Sequence, residues 1–205
     1  MNKPQLMSHL RKQGFSENIV KAFEKVKREE FVLPEHKAYT YEDNPLPIGF
    51  GATISQPYTI AFMLDKLELE KNPKLKVLEI GSGSGYVLAL LKEITKGKIY
   101  GVEIIKELVD KSKETLKKLN YKNIKVINKS GFKGLPENAP YDRILVSAAC
   151  SNLETAKNLV SQLKENGIIV ASVKWSVFKI KKEKGEITEV KEFPGFAFVP
   201  LVEES

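Results

Sequence analysis

The spacing of apolar residues divides the chain into a helical first section and a second section in which strands and helices alternate. Within residues 4–31 apolar side chains recur at helical spacing, and a second stripe of this kind predicts a helix near 57–69. Between the two, residues 44–57 are rich in proline and glycine. This segment is long for a simple connection, so we interpret it as a candidate binding loop.

From residue 75 onward, short apolar runs typical of strands alternate with amphipathic helical segments. The predicted strands cover residues 76–80, 98–104, 125–128, 141–149 and 167–173. The predicted helices between them cover residues 86–94, 106–119 and 153–163. Such alternation predicts an α/β fold with a doubly wound, mostly parallel, Rossmann-like sheet.

The end of the chain has the pattern of antiparallel strands. Residues 178–193 alternate around a Lys184-Gly185 turn and predict a β-hairpin, and residues 196–201 predict a last short strand. At 205 residues the chain is most simply one domain. Its predicted sections are a helical part with the binding loop, a ligand-binding core, and the C-terminal hairpin with the last strand, at residues 1–74, 75–173 and 174–205.

Composition indicates a cytoplasmic protein. No apolar run approaches the ~18–20 residues that span a bilayer, and the first residues lack the apolar core of a signal peptide. The single cysteine, Cys150, cannot form an internal disulfide, and its small neighbours indicate a buried strand end. The histidines, His9 and His36, have no partners at metal-ligand spacing, so no metal site is predicted.

The formal charge of +7 raises the question of a nucleic-acid partner. Lysine supplies most of the positive charge, and only Arg11, Arg28 and Arg143 are available for bidentate contacts to phosphate or guanine. The lysines are scattered through predicted helices and turns, as expected for solvated faces. Nucleic-acid binding is therefore the less favoured interpretation, and it stays open.

Three glycines, Gly81, Gly83 and Gly85, directly follow the first strand of the predicted sheet. Ligands of doubly wound sheets bind at this position, and glycine lets them approach the backbone closely. A tight turn alone needs only one or two glycines. The pattern differs from the dinucleotide motif G-x-G-x-x-G, because Tyr86 stands at the third glycine position, and no Walker lysine follows.

Acidic residues at two strand ends indicate the kind of ligand. Glu79 precedes the first glycine, where a carboxylate repels a pyrophosphate but attracts a cation. S-adenosylmethionine carries an ammonium and a sulfonium and has no phosphate. Glu103 ends the next strand, 20 residues after Gly83, where nucleoside-binding folds place the acid that binds the ribose hydroxyls. Together these residues predict a class I, S-adenosylmethionine-dependent methyltransferase.

Longer motifs identify a family resemblance over residues 10–202. In chain order they are REEFVLPEH, YEDNPLPIGFGATIS, VLEIGSGSGY, APYDRILVSAA and FVPL. The chain resembles the protein-L-isoaspartate O-methyltransferases, and GATIS ahead of the glycines carries most of the likeness. The resemblance implies methyl transfer from S-adenosylmethionine to the side-chain carboxylate of isoaspartyl residues in damaged proteins. The methyl ester then collapses to a succinimide, which gives aspartate a route back. It also implies a monomer that acts on isoaspartyl peptides and proteins.

The resemblance assigns roles to individual residues. Ser55 is the catalytic serine by position, and we expect its hydroxyl to donate a hydrogen bond to the acceptor carboxylate. The alternative from local sequence is that Ser55 caps the helix predicted at 57–69, and the two roles are compatible. The predicted cofactor-binding residues are Thr53, Ile54, Ser55, Glu79, Gly81, Ser82, Gly83, Gly85, Glu103, Ile104, Ser130 and Gly131.

The chain departs from the family pattern mainly in the loops expected to touch the acceptor. These positions are Phe50, Ala52, Gln56, Tyr58, Cys150 and Ser151. In addition, Ser130 stands where the family has an aspartate beside the adenine, so a weaker contact is expected there. Two alternatives follow: a related methyltransferase with an RNA or small-molecule acceptor, and a protein that binds S-adenosylmethionine without turnover.

Overall fold

The computed structural model describes residues 1–69 and 74–202, which form a mixed sheet with helices packed against it. The α-helices are α1 (Lys3–Lys12), α2 (Glu17–Lys25), α3 (Pro57–Lys66), α4 (Tyr86–Ile94), α5 (Lys106–Lys118) and α6 (Leu153–Lys157). The strands are β1 (Leu46–Gly49), β2 (Ala52–Ile54), β3 (Val77–Ile80), β4 (Ile99–Glu103), β5 (Ile124–Asn128), β6 (Tyr141–Cys150), β7 (Leu163–Val173), β8 (Ser176–Glu183) and β9 (Glu186–Pro194).

The main sheet has seven strands in the order β5-β4-β3-β6-β7-β8-β9. Neighbouring strands from β5 to β7 are parallel, and β8 and β9 form an antiparallel hairpin at one edge. This confirms the predicted doubly wound sheet and the hairpin with its turn at Lys184-Gly185. Strand order reverses direction between β3 and β6, and such switch points are where α/β folds bind their ligands.

Apolar residues pack on both faces of the sheet. One face carries Val77, Ile99 and Leu145 against helices α1 to α5. The other face carries Leu78, Ile144 and further strand residues against α6 and the 3₁₀ turn that follows it. Burial on both faces explains why the parallel strands are almost continuously apolar. Within the described residues, no helix is long and apolar enough to cross a membrane.

The predicted helical first section is confirmed as two helices followed by 3₁₀ turns. Asn2 and Ser16 cap the two helices, because each side chain accepts a hydrogen bond from a backbone N–H in the first turn. The helix predicted at 57–69 begins at Pro57 and ends at Lys66. Cys150 is buried at the end of its strand, as predicted.

The predicted binding loop contains a β-hairpin that the sequence pattern did not indicate. Strands β1 and β2 pair antiparallel, with Leu46, Ile48 and Ile54 buried. Residues 49–51 connect them with three successive positive φ angles of 98°, 55° and 72°. The glycines accommodate this backbone readily, whereas Phe50 adopts a conformation that L-residues disfavour.

Three further predictions of secondary structure were wrong. The helix predicted at 153–163 ends at Lys157 and continues as a 3₁₀ turn, and β7 begins at Leu163 rather than at residue 167. Residues 196–201 form no regular strand, since only Pro200 bridges to Ala149. Strand β6 extends past the end of β3, so only a short free edge remains for this last segment to pair with.

Candidate active site

A cavity of ≈1130 Å³ lies at the carboxyl ends of β3, β4 and β6. Its wall is built from seven separate parts of the chain: the β1–β2 hairpin with the start of α3, the β3–α4 turn, the end of β4, Gly131 after β5, the end of β6, Trp175 after β7, and residues 194–202. Each part comes from the loops at one end of the sheet, which is the end where α/β folds bind ligands.

The β3–α4 turn packs closely against the end of β6 and against the β1–β2 hairpin. Gly81 has a φ of 77°, and a Cβ there would lie 3.0 Å from the Cβ of Ala148 at the end of β6. Gly83 has a φ of 49°, and its Cβ would lie 3.1 Å from Cδ1 of Ile48 in the β1–β2 hairpin. The turn therefore needs glycine for its conformation and for its close contacts.

Glu79 presents a buried carboxylate to the cavity. The hydroxyl of Ser147, on the neighbouring strand β6, donates a 2.9 Å hydrogen bond to Oε1 of Glu79. Oε2 has no hydrogen-bond partner in the described residues, and neither does the buried hydroxyl of Ser82. Burial raises the pKa of Glu79 to about 8, against the Ser147 hydrogen bond, which lowers it; the nearby charge of Glu103 adds to the increase. Two buried polar groups thus remain able to bond a ligand.

Glu103 connects the glycine turn to the start of α5. Its Oε2 accepts a 2.9 Å hydrogen bond from the backbone N–H of Gly83, and its Oε1 accepts one of 3.0 Å from Ile105. These two bonds fix the orientation of the carboxylate. Because a carboxylate oxygen can accept more than one hydrogen bond, each oxygen can still bond a ligand hydroxyl.

Ser55 lines the cavity just before α3. The helix is not capped by Ser55, so the alternative role predicted for this serine was wrong: Gln56 is the N-cap residue, without a side-chain capping bond. Asp43 takes the capping role from outside the helix, accepting a 2.8 Å hydrogen bond from the Tyr58 N–H and a 3.0 Å bond from the Gln56 amide. The Ser55 hydroxyl makes no hydrogen bond with any described residue.

The cavity lining contains carboxyl groups and no basic side chain. Among the described residues that line it, Glu79 and Glu103 carry the carboxyl groups, and none is a lysine, arginine or histidine. Aliphatic residues and glycines make up most of the remainder, with neutral polar groups and aromatic rings among them. A cavity of this kind attracts a cationic ligand and repels a polyphosphate.

The structure brings most of the predicted site residues together. The lining includes Thr53, Ile54, Ser55, Glu79, Gly81, Ser82, Gly83, Glu103, Ile104 and Gly131. Gly85 is not among the described lining residues; it is the N-cap residue of α4 with a φ of 83°, and a Cβ there would lie 3.1 Å from the Cβ of Ser112. Its positive φ and lack of a side chain serve helix packing.

Ser130 also lies outside the described lining. Its hydroxyl is 3.4 Å from the carbonyl oxygen of Val202, to which it donates, and it accepts a 3.4 Å hydrogen bond from the N–H of Phe132. Ser130 therefore connects the loop after β5 to the last segment of the chain. That segment, from Pro194 to Val202, does line the cavity.

Several residues of the site were not predicted from sequence. Ser147 and the last segment contact groups far away along the chain, which periodicity does not reveal. Trp175, in the turn between β7 and β8, lines the cavity and is 74% exposed. Its carbonyl accepts 3.0 Å hydrogen bonds from the N–H groups of Gly195 and Phe196, which anchor the last segment. The one usable signal was a lone tryptophan between the strand predicted at 167–173 and the hairpin predicted at 178–193.

Comparisons with known proteins agree with this geometry. The family model described as "Protein-L-isoaspartate(D-aspartate) O-methyltransferase (PCMT)" matches residues 1–205. A protein-L-isoaspartate O-methyltransferase of Thermococcus onnurineus is 43% identical over 95% of this chain and 90% of its own length. Another, of Ignicoccus hospitalis, is 41% identical over 98% of both chains.

Solved structures give the same result. One protein-L-isoaspartate O-methyltransferase superposes with a TM-score of 0.87 at 27% identity, over 98% of this chain and 66% of the other. A Plasmodium falciparum protein, described as a protein-L-isoaspartate O-methyltransferase and solved in complex with S-adenosyl-L-homocysteine, superposes with a TM-score of 0.86 at 26% identity over the whole of both chains.

Proposed function

The chain belongs to the protein-L-isoaspartate(D-aspartate) O-methyltransferase family, and from this premise we propose that it methylates the side-chain carboxylate of L-isoaspartyl residues in proteins. Family membership confirms the predicted class of enzyme, a methyltransferase that uses S-adenosylmethionine. The observation that carries the proposal is the charge of the cavity, whose described lining holds two carboxylates and no basic side chain. A methyl donor with positive charge suits this lining.

The residues present fit S-adenosylmethionine. Glu79 offers an unpartnered, buried carboxylate oxygen, and Ser82 a buried hydroxyl. Gly81 and Gly83 leave the backbone of the turn bare, without room for larger side chains. We assign Glu79 to the ammonium group of the cofactor, since a buried carboxylate is stabilised by a cation. When bound, the cofactor supplies an electrophilic methyl group on a positively charged sulfur.

Glu103 is assigned to the ribose hydroxyls. Its carboxylate is already held by the N–H groups of Gly83 and Ile105, so it does not have to reorganise to accept further hydrogen bonds. The remaining proposed contacts with the cofactor depend on the shape of the cavity wall and are made by Thr53, Ile54, Ile104 and Gly131. Gly85 and Ser130 then act through the neighbouring structure rather than by lining the cavity.

Ser55 is assigned to the acceptor. An isoaspartyl carboxylate has a pKa near ~4 and is ionised at neutral pH, so no residue has to remove a proton from it. The hydroxyl of Ser55 lines the cavity without a hydrogen bond to a described residue and can donate one to the acceptor carboxylate. Orientation of this kind contributes several kcal/mol, on the order of the gain from intramolecularity.

We further propose that the enzyme works as a monomer in the cytoplasm, on peptides and not on nucleic acid. Of the three arginines, Arg28 and Arg143 are 0% and 8% exposed, so they are not available to bind phosphate. Arg11 is paired with Glu17. The remaining positive charge belongs to lysines, which give weaker geometric recognition of phosphate and guanine.

The proposed activity is tested with tritiated S-adenosylmethionine and three acceptors. These are an isoaspartyl peptide, the same peptide with ordinary aspartate, and bulk tRNA. We expect label in the isoaspartyl peptide only, and we expect base to release it as methanol because a methyl ester is base-labile. Label confined to tRNA, or equal label in the two peptides, would overturn the proposal. Binding of S-adenosylmethionine without transfer would favour a protein that has lost turnover.

Replacing Ser55 tests the assignment of the catalytic residue. Ser55→Ala should bind S-adenosylhomocysteine as the wild type does, while kcat/KM for the isoaspartyl peptide falls about 100-fold, the scale of losing one oriented hydrogen bond in a transition state. Ser161→Ala, in the 3₁₀ turn after α6 and outside the described cavity lining, is the matched control, with kcat/KM close to that of the wild type. Full carboxyl methylation by Ser55→Ala would remove the catalytic role of this serine.

A further inference from the structure

Arg28 is a buried cation that the proposed chemistry has not used. It follows α2 in a 3₁₀ turn, and its side chain is 0% exposed. One guanidinium nitrogen donates a 3.1 Å hydrogen bond to the carbonyl of Ser55, and the other terminal nitrogen donates one of 3.4 Å to the carbonyl of Asn44. The guanidinium carbon also lies 5.2 Å from the ring centre of Tyr86, the first residue of α4.

This placement is costly for a charged group. Arg28 forms no ion pair within 4.0 Å with a carboxylate in residues 1–69 or 74–202, and its buried Nε has no hydrogen-bond partner there. Burial lowers the pKa of Arg28 from its ordinary value, and Tyr86 and, less strongly, the more distant Asp43 offset part of this effect. A buried charge that no carboxylate neutralises lowers stability, so a structural role alone would be served better by an apolar residue.

The contacts of Arg28 connect the β1–β2 hairpin to the start of α4. The carbonyls of Asn44 and Ser55 flank the β1–β2 hairpin at both ends, and Tyr86 begins the helix that follows the glycine turn. Holding both hairpin ends against α4 fixes the position of Ser55 relative to the glycine turn. A planar guanidinium can do this because its donors point in fixed directions.

The charge of Arg28 has a second consequence. The described lining of the cavity has no basic side chain, yet the proposed acceptor group is an anion. Arg28 lies behind Ser55, separated from the cavity by the backbone it bonds, and in a poorly hydrated interior its field reaches the acceptor end with little screening. It thereby offsets the negative field of Glu103, and that of Glu79 once a bound cation has ionised it.

We propose that Arg28 is a positioning residue for the acceptor: it fixes Ser55 against the glycine turn and supplies the buried positive charge that favours an anionic acceptor. This inference rests on the proposed function, since it assumes a carboxylate acceptor near Ser55. Binding of the methyl donor, in contrast, should depend little on Arg28, because no contact joins it to Glu79 or Glu103.

Two substitutions separate the charge from the geometry. Arg28→Gln keeps an amide donor but removes the charge, whereas Arg28→Lys keeps the charge but lacks the planar, fixed array of donors that holds both carbonyls. We expect Arg28→Gln to raise the KM for an isoaspartyl peptide about tenfold. Arg28→Lys should restore KM to within about twofold of the wild type while kcat stays several-fold reduced. Both should bind S-adenosylhomocysteine within about twofold of the wild-type affinity.

Arg143→Gln is the matched control. Arg143 is also a buried arginine that donates to backbone carbonyls, those of Leu67 and Glu68, but it lies at the amino end of β6, away from the cavity. The Arg143→Gln variant should be less stable than the wild type, while its KM and kcat remain unchanged. If Arg28→Gln behaves like Arg143→Gln, or weakens S-adenosylhomocysteine as much as it weakens the peptide, Arg28 is only structural and the inference fails. An inactive wild type would instead overturn the proposed function.

Discussion

At the scale of single residues, Glu79 connects the charge of the cavity to a measurable proton. Its carboxylate is buried, bonded at one oxygen by Ser147 and unpartnered at the other. Burial raises its pKa to about 8. Near neutral pH the free protein therefore holds Glu79 mostly protonated. A bound ammonium group favours the ionised form, so binding should release a proton.

The affinity for S-adenosylhomocysteine should accordingly rise with pH. Between about pH 5.5 and about 7 the ligand ammonium stays protonated, and release of one proton gives a gain approaching tenfold per pH unit. Calorimetric titrations across this range, in buffers of different ionisation enthalpy, measure both the affinity and the proton. Glu79→Gln should bind more weakly and without pH dependence. A wild-type affinity that stays flat over this range would contradict the assignment of Glu79.

The same pKa fixes the sign of the stability change in the free protein. An unfolded glutamate has a pKa of about 4.3, below the folded value, so the folded chain holds the proton more tightly. The contribution of Glu79 to stability is full below that unfolded value and is lost as pH rises towards about 8. The free energy of unfolding, measured by chemical denaturation, should therefore decline less steeply with pH over this range in Glu79→Gln than in the wild type.

At the scale of elements, α3 depends on a cap supplied by another part of the chain. Asp43 accepts hydrogen bonds from the N–H of Tyr58 and the amide of Gln56, both at the start of the helix. Since the helix begins two residues after Ser55, this cap also fixes the backbone between the β1–β2 hairpin and α3. The cap is a tertiary contact, so its loss affects both the helix and the site.

Asp43→Ala should destabilise the protein by about 1 kcal/mol, the usual cost of a lost N-cap. Urea denaturation measures the change as a lower midpoint. Asp43→Asn retains an acceptor oxygen for the Tyr58 N–H and should lose less stability than Asp43→Ala. Asp65→Ala, in the last turn of the same helix, removes a partly exposed ion pair with Lys66 and should leave the midpoint nearly unchanged. An unchanged midpoint in Asp43→Ala would mean that α3 needs no cap.

The elements also show which parts of the fold the sequence could predict. Helix α4 was predicted with both ends correct, because its apolar stripe follows directly on the glycine turn. The hairpin of β1 and β2 was missed, since its proline and glycine content obscures the strand pattern. Residues 196–201 have a strand-like pattern, but pairing requires a free edge, and β6 leaves only a short one. Edges and partners are properties of the assembled sheet.

The site was predictable to the same extent. The glycines and both acids stand in local motifs, and their spacing along β3 and β4 was sufficient to place Glu79, Gly81, Gly83 and Glu103 at one end of the sheet, where they line the cavity; Gly85 lies outside its described lining. Ser147 and Arg28 were not identifiable in this way, because their partners lie 68 and 27 residues distant. A buried arginine within a polar stretch looks like a surface residue until the fold places it under Ser55.

At the scale of the whole molecule, the protein combines a basic composition with an acidic cavity. The formal net charge is +7, but the charged residues described in the cavity lining are the two carboxylates. The reversal of strand order between β3 and β6 creates this cavity by placing Glu79 beside Ser147 and the glycine turn beside Ala148. The local sign of the charge at this point selects the ligand, whatever the net charge of the surface.

Competition binding measures this selection most directly. The protein is titrated with S-adenosylmethionine without peptide, then again in the presence of NADH or ATP, with Glu103→Ala to locate the binding in this cavity. We expect one S-adenosylmethionine per chain, no displacement by either nucleotide, and at least about tenfold weaker binding in Glu103→Ala. Displacement of S-adenosylmethionine by NADH or ATP would contradict a cavity built for a positively charged methyl donor.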